Sequence, residues 1–477
     1  MVIIPVILRM RQKVKFKGRF VKILWVLVVL LNISGCAIQN AIHEKLYYAA
    51  PTLMPNTQLQ MKTAGFWISR HPFPDKVILT PEEIRTLNNR TEDELKLTTD
   101  ITKIKSLYSG KELVSAVRKP LNYVQQEKLY QADGKKADLK FYHRIEEEMG
   151  LITAQNGSEV KYGFVVHYAD QRVLPTEEGL YVQPGDIDFD ELQNSSFDVG
   201  TPLAVLHTSP DGKWCYAVAP CSSGWIRTDK VALCGDREEL SRYLQPTDFV
   251  VVISPKADIF LNPVLTDYYD YVRMGTRFPA IKNTESSIVE IIIPFRLPDG
   301  SLSQKTAYLH KEDVNFGYLS YTPRTIIEQG FRLINTPYGW GGMYGEQDCS
   351  EFLQEIFATA GILLPRNSSV QSKVGALVGE FNKKSSGEEK LRLLSEKAVG
   401  GITVLYLKGH IMLFLGIVNG KPYAIHAIWA YRQHSGIHED YIRVINRVAV
   451  TDLSLSKSSP KGSLMERLLT VRKIDKI

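Results

Sequence analysis

Cysteine is scarce in this chain: 477 residues carry five, at positions 36, 215, 221, 234 and 349. That density excludes a small disulfide scaffold. The spacing of Cys215, Cys221 and Cys234 matches no zinc pattern, and no histidine set accompanies them, which leaves one disulfide with one free thiol, or three buried free thiols, as the two arrangements open to them. No glycine-rich phosphate loop and no metal motif stands out, so no cofactor is expected. A Lys/Arg stripe with interleaved aromatics is also lacking. The formal charge of +6 includes Arg9, Arg11, Lys13, Lys15, Lys17, Arg19 and Lys22, and the remainder is close to neutral. The basic pI is therefore no sign of a nucleic-acid partner, and none is expected.

Those seven cations, with no acid among them, precede the apolar run from Ile23 to Ile33 and then Ser34-Gly35-Cys36. A basic stretch, a short apolar stretch and small residues make a secretory signal, too short to span a bilayer comfortably. The small residues directly before Cys36 resemble a bacterial lipobox. That resemblance implies cleavage ahead of Cys36, diacylation of its thiol and anchoring to a cell-envelope membrane. Ala37, in place of an aspartate, points to the outer membrane facing the periplasm. Met10 is an alternative start.

About 440 residues after such a signal are too many for one core, so several domains are expected. Residues 37 to about 155 have helical character. Thr80-Pro81-Glu82-Glu83 is a capping box with proline at the first helical position. From Tyr162 the pattern becomes short β runs broken by turns, including Phe164 to Val166, Leu203 to His207, Trp214 to Val218 and Trp225-Ile226, which suggests a small β-barrel. The run Lys383 to Lys390 reads as a solvated loop.

The most informative stretch is Tyr338-Gly339-Trp340-Gly341-Gly342, followed by Asp348-Cys349-Ser350. Apolar residues at Phe352, Leu353, Ile356, Phe357 and Ala360 have helical spacing, and Gly361 supplies a stop. Cys349 therefore sits in a first helical turn, where unpaired N–H groups and the helix dipole are expected to lower a thiol pKa toward neutrality. Two apolar runs, around His410 and His426 and separated by Asn419-Gly420, read as a buried hairpin. A cysteine opening a helix, a histidine on a following strand and an orienting polar residue on the next strand are what cysteine acyl transfer requires. Cys349, His410 and His426 are the candidates, with His434 and His438 as alternatives for the third. Side chains alternate along strands, so a regular two-residue turn pairing Val418 with Lys421 would put the two histidines on opposite faces. An odd loop or a bulge is predicted.

The runs TPYGWGG, DCSEF, GILLPRNSSVQ, GHIMLFLG and AIHA together resemble the NlpC-type cell-wall cysteine peptidases, whose fold is papain-like α+β. The resemblance covers roughly residues 320 to 450 and implies Cys349 as nucleophile, His410 as general base and His426 as the residue orienting it. Glu351 departs from the small residue usual there, adding a charge at the helix start and suggesting a narrower cleft. Gly200-Thr201-Pro202-Leu203, Trp214 and Gly224-Trp225-Ile226 resemble a bacterial SH3 domain, with a weaker second copy over residues 247 to 316, where the strand Ile288 to Phe295 is flanked by the turn Pro298-Asp299-Gly300. The expected organisation is a signal at 1–35, a helical segment at 36–155, SH3-like barrels at 156–245 and 246–318, and the peptidase domain at 319–477.

This resemblance implies an endopeptidase on peptidoglycan stem peptides or muropeptides that cleaves between D-glutamate and a diamino acid through an acyl-enzyme. It further implies that Asp348, Ser350 and Tyr338 hold the free amine of an N-terminal L-Ala, together with an acid and a tyrosine of the first barrel, for which Glu177, Glu178 and Tyr181 are the candidates. Trp340 either lines the cleft or packs beside the loop, and Asp348 could instead only cap its helix. A non-catalytic wall-binding lipoprotein and an amidase or acyltransferase on the same fold are the other two readings.

Overall fold

Thr80 accepts the backbone N–H of Glu83, and the Glu83 carboxylate accepts that of Thr80, so the capping box starts helix α1, Pro81–Asn89, where the sequence predicts it. Ser109 and Glu112 repeat the device ahead of α2, Gly110–Gln126, and Asp138 caps α3, Leu139–Met149. The structure, a computed structural model, describes residues 47–281, 286–434 and 441–476. Cys36, the basic and apolar run before it, and His438 lie outside the described residues.

Leu113, Val117, Leu121 and Val124 recur every three or four residues on α2, and all are buried. They share one core with Phe141 and Ile145 of α3 and with Phe164, Tyr216 and Trp225 of the sheet that follows. Helices α2 and α3 thus cover that sheet, whereas Ile84 and Leu87 of α1 are buried with Ile326 and Phe357 in the core of the last part of the chain. Its strands are β1 (Lys161–Val165), β2 (Ala169–Arg172), β3 (Gln193–Phe197), β4 (Pro202–Thr208), β5 (Trp214–Val218), β6 (Ser223–Arg227) and β7 (Val231–Leu233), in the order β7-β1-β4-β5-β6-β2-β3 and antiparallel throughout. Cys215, Cys221 and Cys234 are free thiols in this structure, and Cys221 donates to the carbonyl of Leu364.

After α4 (Arg237–Leu244) comes a second seven-stranded sheet: β8 (Phe249–Val252), β9 (Lys256–Phe260), β10 (Tyr268–Arg273), β11 (Arg277–Ile281), β12 (Ile288–Arg296), β13 (Leu302–His310) and β14 (Val314–Phe316), ordered β10-β9-β13-β12-β11-β8-β14. The predicted Pro298-Asp299-Gly300 turn joins β12 to β13 in a long regular hairpin.

Thr322 caps α5, Pro323–Arg332, and Asp348 caps α6, Cys349–Ala358. The rest of this part is β15 (Ala376–Glu380), α7 (Gly387–Lys397), β16 (Thr403–Leu407), β17 (His410–Val418), β18 (Lys421–Gln433), β19 (Tyr441–Asp452) and β20 (Leu468–Lys473), with α6 set against the sheet. Strand neighbours run β19-β18-β17-β16-β20-β15. Phe352, Leu353, Ile356 and Phe357 of α6 are fully buried with Ile411, Leu413 and Ile425 of β17 and β18, which fixes the helix over the hairpin. From Ala49 onward the chain forms one compact unit, so the two barrels and this part are packed together.

The run Lys383 to Lys390 is only in part the solvated loop expected of it. Ser386 caps α7 there, and Lys390 is buried with its ammonium donating to the carbonyls of Met465 and Glu466 at 3.1 and 2.7 Å. Two carbonyls held at one point compensate the loss of water around a buried ammonium.

Candidate active site

The hairpin turn is the two-residue Asn419-Gly420, with Val418 opposite Lys421. A bulge between Phe414 and Gly416 then shifts the register so that Leu413 faces Ile425. This is one of the two devices predicted from parity, and it places His410 and His426 on one face. Nε2 of His410 lies 2.6 Å from Nδ1 of His426, and Nε2 of His426 lies 2.8 Å from Oγ1 of Thr451 on β19. His426 is fully buried, and burial with the neighbouring His410 holds its pKa far below the usual value. Neutral His426 carries one ring proton; with that proton on Nε2, donated to Thr451, its Nδ1 accepts from Nε2 of His410. In that tautomer His410 holds its proton on Nε2 and leaves Nδ1 as the nitrogen able to take a proton from a thiol. Thr451 carries no signal in the sequence, because one threonine in an apolar strand is ordinary.

Cys349 opens α6, and the backbone N–H groups of Ile411 and Ser350 stabilise its thiolate. Ile411 follows His410 directly, so the thiol meets the start of β17. The expected depression of the thiol pKa is not what the structure gives. Burial first and the Asp348 carboxylate second push Cys349 up to about 12, against the smaller pull of those N–H groups. Burial, with Arg467 adding to it, lowers His410 to about 3. The resting pair is a neutral thiol and a neutral imidazole, and the proton moves when the sulfur attacks. Iodoacetamide should accordingly modify Cys349 at neutral pH at least roughly thirtyfold more slowly than an ordinary thiol, because less thiolate outweighs its higher intrinsic reactivity. The rate should keep climbing above pH 10; a plateau below pH 8 would show a thiolate formed near neutrality.

Asp348 is held from several sides. Its Oδ1 accepts the N–H of Ser350 and of Glu351, both at 3.0 Å, and the Ser350 hydroxyl at 2.8 Å. Arg366 grips both oxygens, Nη2 at 2.7 Å and Nη1 at 3.1 Å, and bonds the Ser350 hydroxyl at 3.0 Å. Asp348 therefore caps the nucleophile's helix and neutralises a buried arginine, while Cys349 N–H remains in the first turn, where the helix offers it no partner. Arg366 lies in the GILLPRNSSVQ run, yet nothing in its spacing marks it as the partner of Asp348.

Glu351 does not narrow the cleft. Its carboxylate turns toward the barrels, 5% exposed, at 2.6 Å from Nη1 of Arg273 on β10 and 3.4 Å from Nη2 of Arg366. Arg273 also bonds Asp198, just after β3, with Nη2 to Oδ2 at 2.9 Å. A buried chain of alternating charge, Asp198, Arg273, Glu351, Arg366 and Asp348, thus ties both barrels to the helix of Cys349. An acid where a small residue is usual is matched by an arginine from the second barrel.

The glycine-rich loop is fitted to the first barrel. Gly341 and Gly342 have φ of +61° and +82°, and a Cβ on either would strike Gln193 or Ser196 of β3. Tyr168 donates to the carbonyl of Gly342 at 2.6 Å and accepts from Gly345 N–H at 3.1 Å. Trp340 Nε1 donates to the carbonyl of Asp190 at 2.9 Å, and Phe189 packs edge-on to both Trp340 and Trp429. Tyr338 stacks obliquely near Trp429 and lies close enough to Cys349 and Asp348 that their charges add to burial in raising its pKa. These aromatics from three parts of the chain form one wall beside the thiol, and Phe189 and Trp429 were not legible as members of it.

Of the three first-barrel candidates, Tyr181 comes nearest to this loop: it pairs with Tyr130 and senses Asp190 and Tyr344. Glu178 is bound instead to Arg144 of α3 at 2.7 Å, and Glu177 faces Arg227 at 4.0 Å. Both carboxylates are thus paired with arginines of α3 and of the barrel. Among the described residues no group of three or more His, Cys, Asp or Glu side chains is placed to hold a metal ion.

Known proteins share these parts. Residues 335–444 match the NlpC/P60 family, and residues 180–227 match the SH3 domain of SH3b1 type. A γ-D-glutamyl-L-lysine dipeptidyl-peptidase of Bacillus cereus is 34% identical over 137 residues, a match spanning 27% of this chain and 38% of that protein. A solved NlpC/P60 endopeptidase from Photobacterium damselae subsp. piscicida superposes with a TM-score of 0.70 at 20% identity, over 90% of this chain and 99% of that one, which shows a shared fold. This chain joins an NlpC/P60 domain of papain-like α+β fold to SH3-like domains, and Cys349, His410 and His426 stand in the NlpC/P60 part.

Proposed function

We propose that the protein is a cysteine peptidase that hydrolyses an amide of peptidoglycan stem peptides. The observation that carries this reading is the relay from His410 through His426 to Thr451, which leaves one imidazole nitrogen for a thiol at the start of α6. His410 takes the Cys349 proton as sulfur attacks the carbonyl carbon. The tetrahedral oxyanion is met by the open N–H of Cys349. His410 then returns the proton to the leaving amine, a thioester of Cys349 remains, and water activated by His410 releases the acid.

The bond cleaved is the amide between γ-D-glutamate and a diamino acid, a reading supported by the activity in the name of the Bacillus cereus relative. Peptides with a free N-terminal L-Ala are the preferred substrates, because the wall of Tyr338, Trp340, Phe189 and Trp429 closes the acyl side where a longer chain would extend. Asp348 contributes to that pocket as a fixed negative charge; since it also caps α6 and binds Arg366, its replacement would not isolate the role. Substrate chemistry does. N-acetylated L-Ala-γ-D-Glu-diamino acid peptide should be cleaved at least about tenfold more slowly than the free amine, the loss of one charge-assisted contact. Equal rates would remove the amine pocket. Product analysis with an added amine decides the class: free dipeptide acid supports a hydrolase, whereas transfer to the amine would make the protein an acyltransferase, and binding without turnover a wall-binding module. Export and lipid anchoring at Cys36 complete the proposal, and the mass of the mature N-terminus tests it.

A further inference from the structure

Two arginines beside the relay are not used by it. Leu468, which opens β20, pairs with Leu407 of β16, and Leu407 pairs with His410. Arg467 therefore stands at the edge of the sheet, at the end of the strand set that presents the general base. Among the described residues its side chain makes one hydrogen bond, from Nε to the carbonyl of Ser463 at 3.4 Å. Arg432 of β18 is its charged neighbour, and only the Arg432 backbone N–H is tied down, at 3.2 Å from Ser456 Oγ. Among the described residues no carboxylate lies within ion-pair distance of either guanidinium. The two cations repel each other while burial removes water from Arg467, and together these lower its pKa. Two partly desolvated guanidiniums with no counter-ion among the described residues are an arrangement that an anion stabilises. Elsewhere in the site, Arg366 and Arg273 are fully matched by acids.

We infer that Arg467, assisted by Arg432, binds a carboxylate carried by the leaving diamino acid. This rests on the peptidase reading above. The general base delivers its proton to the leaving amine, so the leaving residue lies on the side of His410 where Arg467 stands, while the aromatic wall and Asp348 take the acyl side. A diamino acid released by this cleavage carries an α-carboxylate when the peptide ends there, and diaminopimelate carries a second one. A planar guanidinium recognises such a group by paired N–H donors.

The test compares L-Ala-γ-D-Glu-diaminopimelate with its counterpart amidated on the diaminopimelate carboxylates. The parent enzyme should favour the acid, and Arg467→Gln should reduce that preference, read as the acid-to-amide ratio of kcat/KM, by about tenfold or more through a raised KM for the acid. A change at His410 from losing the neighbouring charge falls on both substrates alike and leaves that ratio unmoved. Arg467→Lys should retain part of the preference, and Arg432→Gln should lose less of it. Equal loss on both substrates, or no preference in the parent, overturns the inference. Should the parent cleave neither peptide, the peptidase reading itself fails. Calorimetry then still decides the carboxylate site: tighter binding of the acid by the Cys349→Ala variant, lost on adding Arg467→Gln, supports it, and equal affinity for acid and amide overturns it.

Discussion

The Cys349→Ala variant is expected to lose at least about four orders of magnitude in kcat/KM on a γ-D-glutamyl-diamino acid peptide, the loss seen when an essential nucleophile is removed from a coupled set. Its stability should change little. The thiol is buried but small, and it donates no hydrogen bond on which the core depends, so the expected cost is on the order of 1 kcal/mol. Thermal unfolding of the variant within a few degrees of the parent, beside absent turnover, is the predicted pair of results. Replacing Thr451 by valine should be far milder, because it removes only the last contact of the relay. Residual turnover of Cys349→Ala near the parent rate would place the chemistry elsewhere.

The largest effect on stability is expected from Arg273→Ala. Arg273 is 4% exposed and is shared between Asp198 and Glu351, with Glu355 at 4.0 Å. Its removal takes from Asp198 its arginine and from Glu351 the nearer of its two, in a buried site where breaking such a pair typically costs about 3 to 5 kcal/mol. Denaturant unfolding would measure this directly. Because Glu351 keeps only Arg366, at 3.4 Å, Arg273→Met combined with Glu351→Gln should be less destabilised than the sum of the two single variants. Additive effects, or a single-variant loss below about 1 kcal/mol, would mean that the barrel and the nucleophile helix are not coupled through this pair. The coupling gives the second barrel a mechanical role: through Glu351 and Arg366 it holds the carboxylate that caps the helix of Cys349.

The parts legible in the sequence are those governed by local rules. The helix after Cys349, the capping box at Thr80, the turn at Pro298-Asp299-Gly300 and the parity conflict between His410 and His426 all follow from residues a few positions apart, and the bulge at Phe414 resolves that conflict. Contacts made at long range were not legible. Arg366 and Arg273 meet Asp348 and Glu351 across 18 and 78 positions, and no periodicity marks such pairs. Phe189 and Trp429 join Trp340 only because a barrel loop and a strand end converge there. Lys390 looked like a loop lysine because its two carbonyl partners lie 75 and 76 residues away. The thiol pKa was misjudged for a related reason: the helix terminus is visible in the sequence, whereas the burial that outweighs it depends on packing.

The central claim is that Cys349 forms a thioester with the acyl half of the substrate. Acid-quenched mixtures of the protein with an L-Ala-γ-D-Glu-diamino acid peptide, analysed by intact and peptide mass spectrometry, test it most directly. The account predicts a hydroxylamine-labile adduct with the mass of the L-Ala-γ-D-Glu acyl group on the peptide containing Cys349, absent in Cys349→Ala. Turnover without any such adduct, or an adduct on another residue that persists in Cys349→Ala, would contradict it.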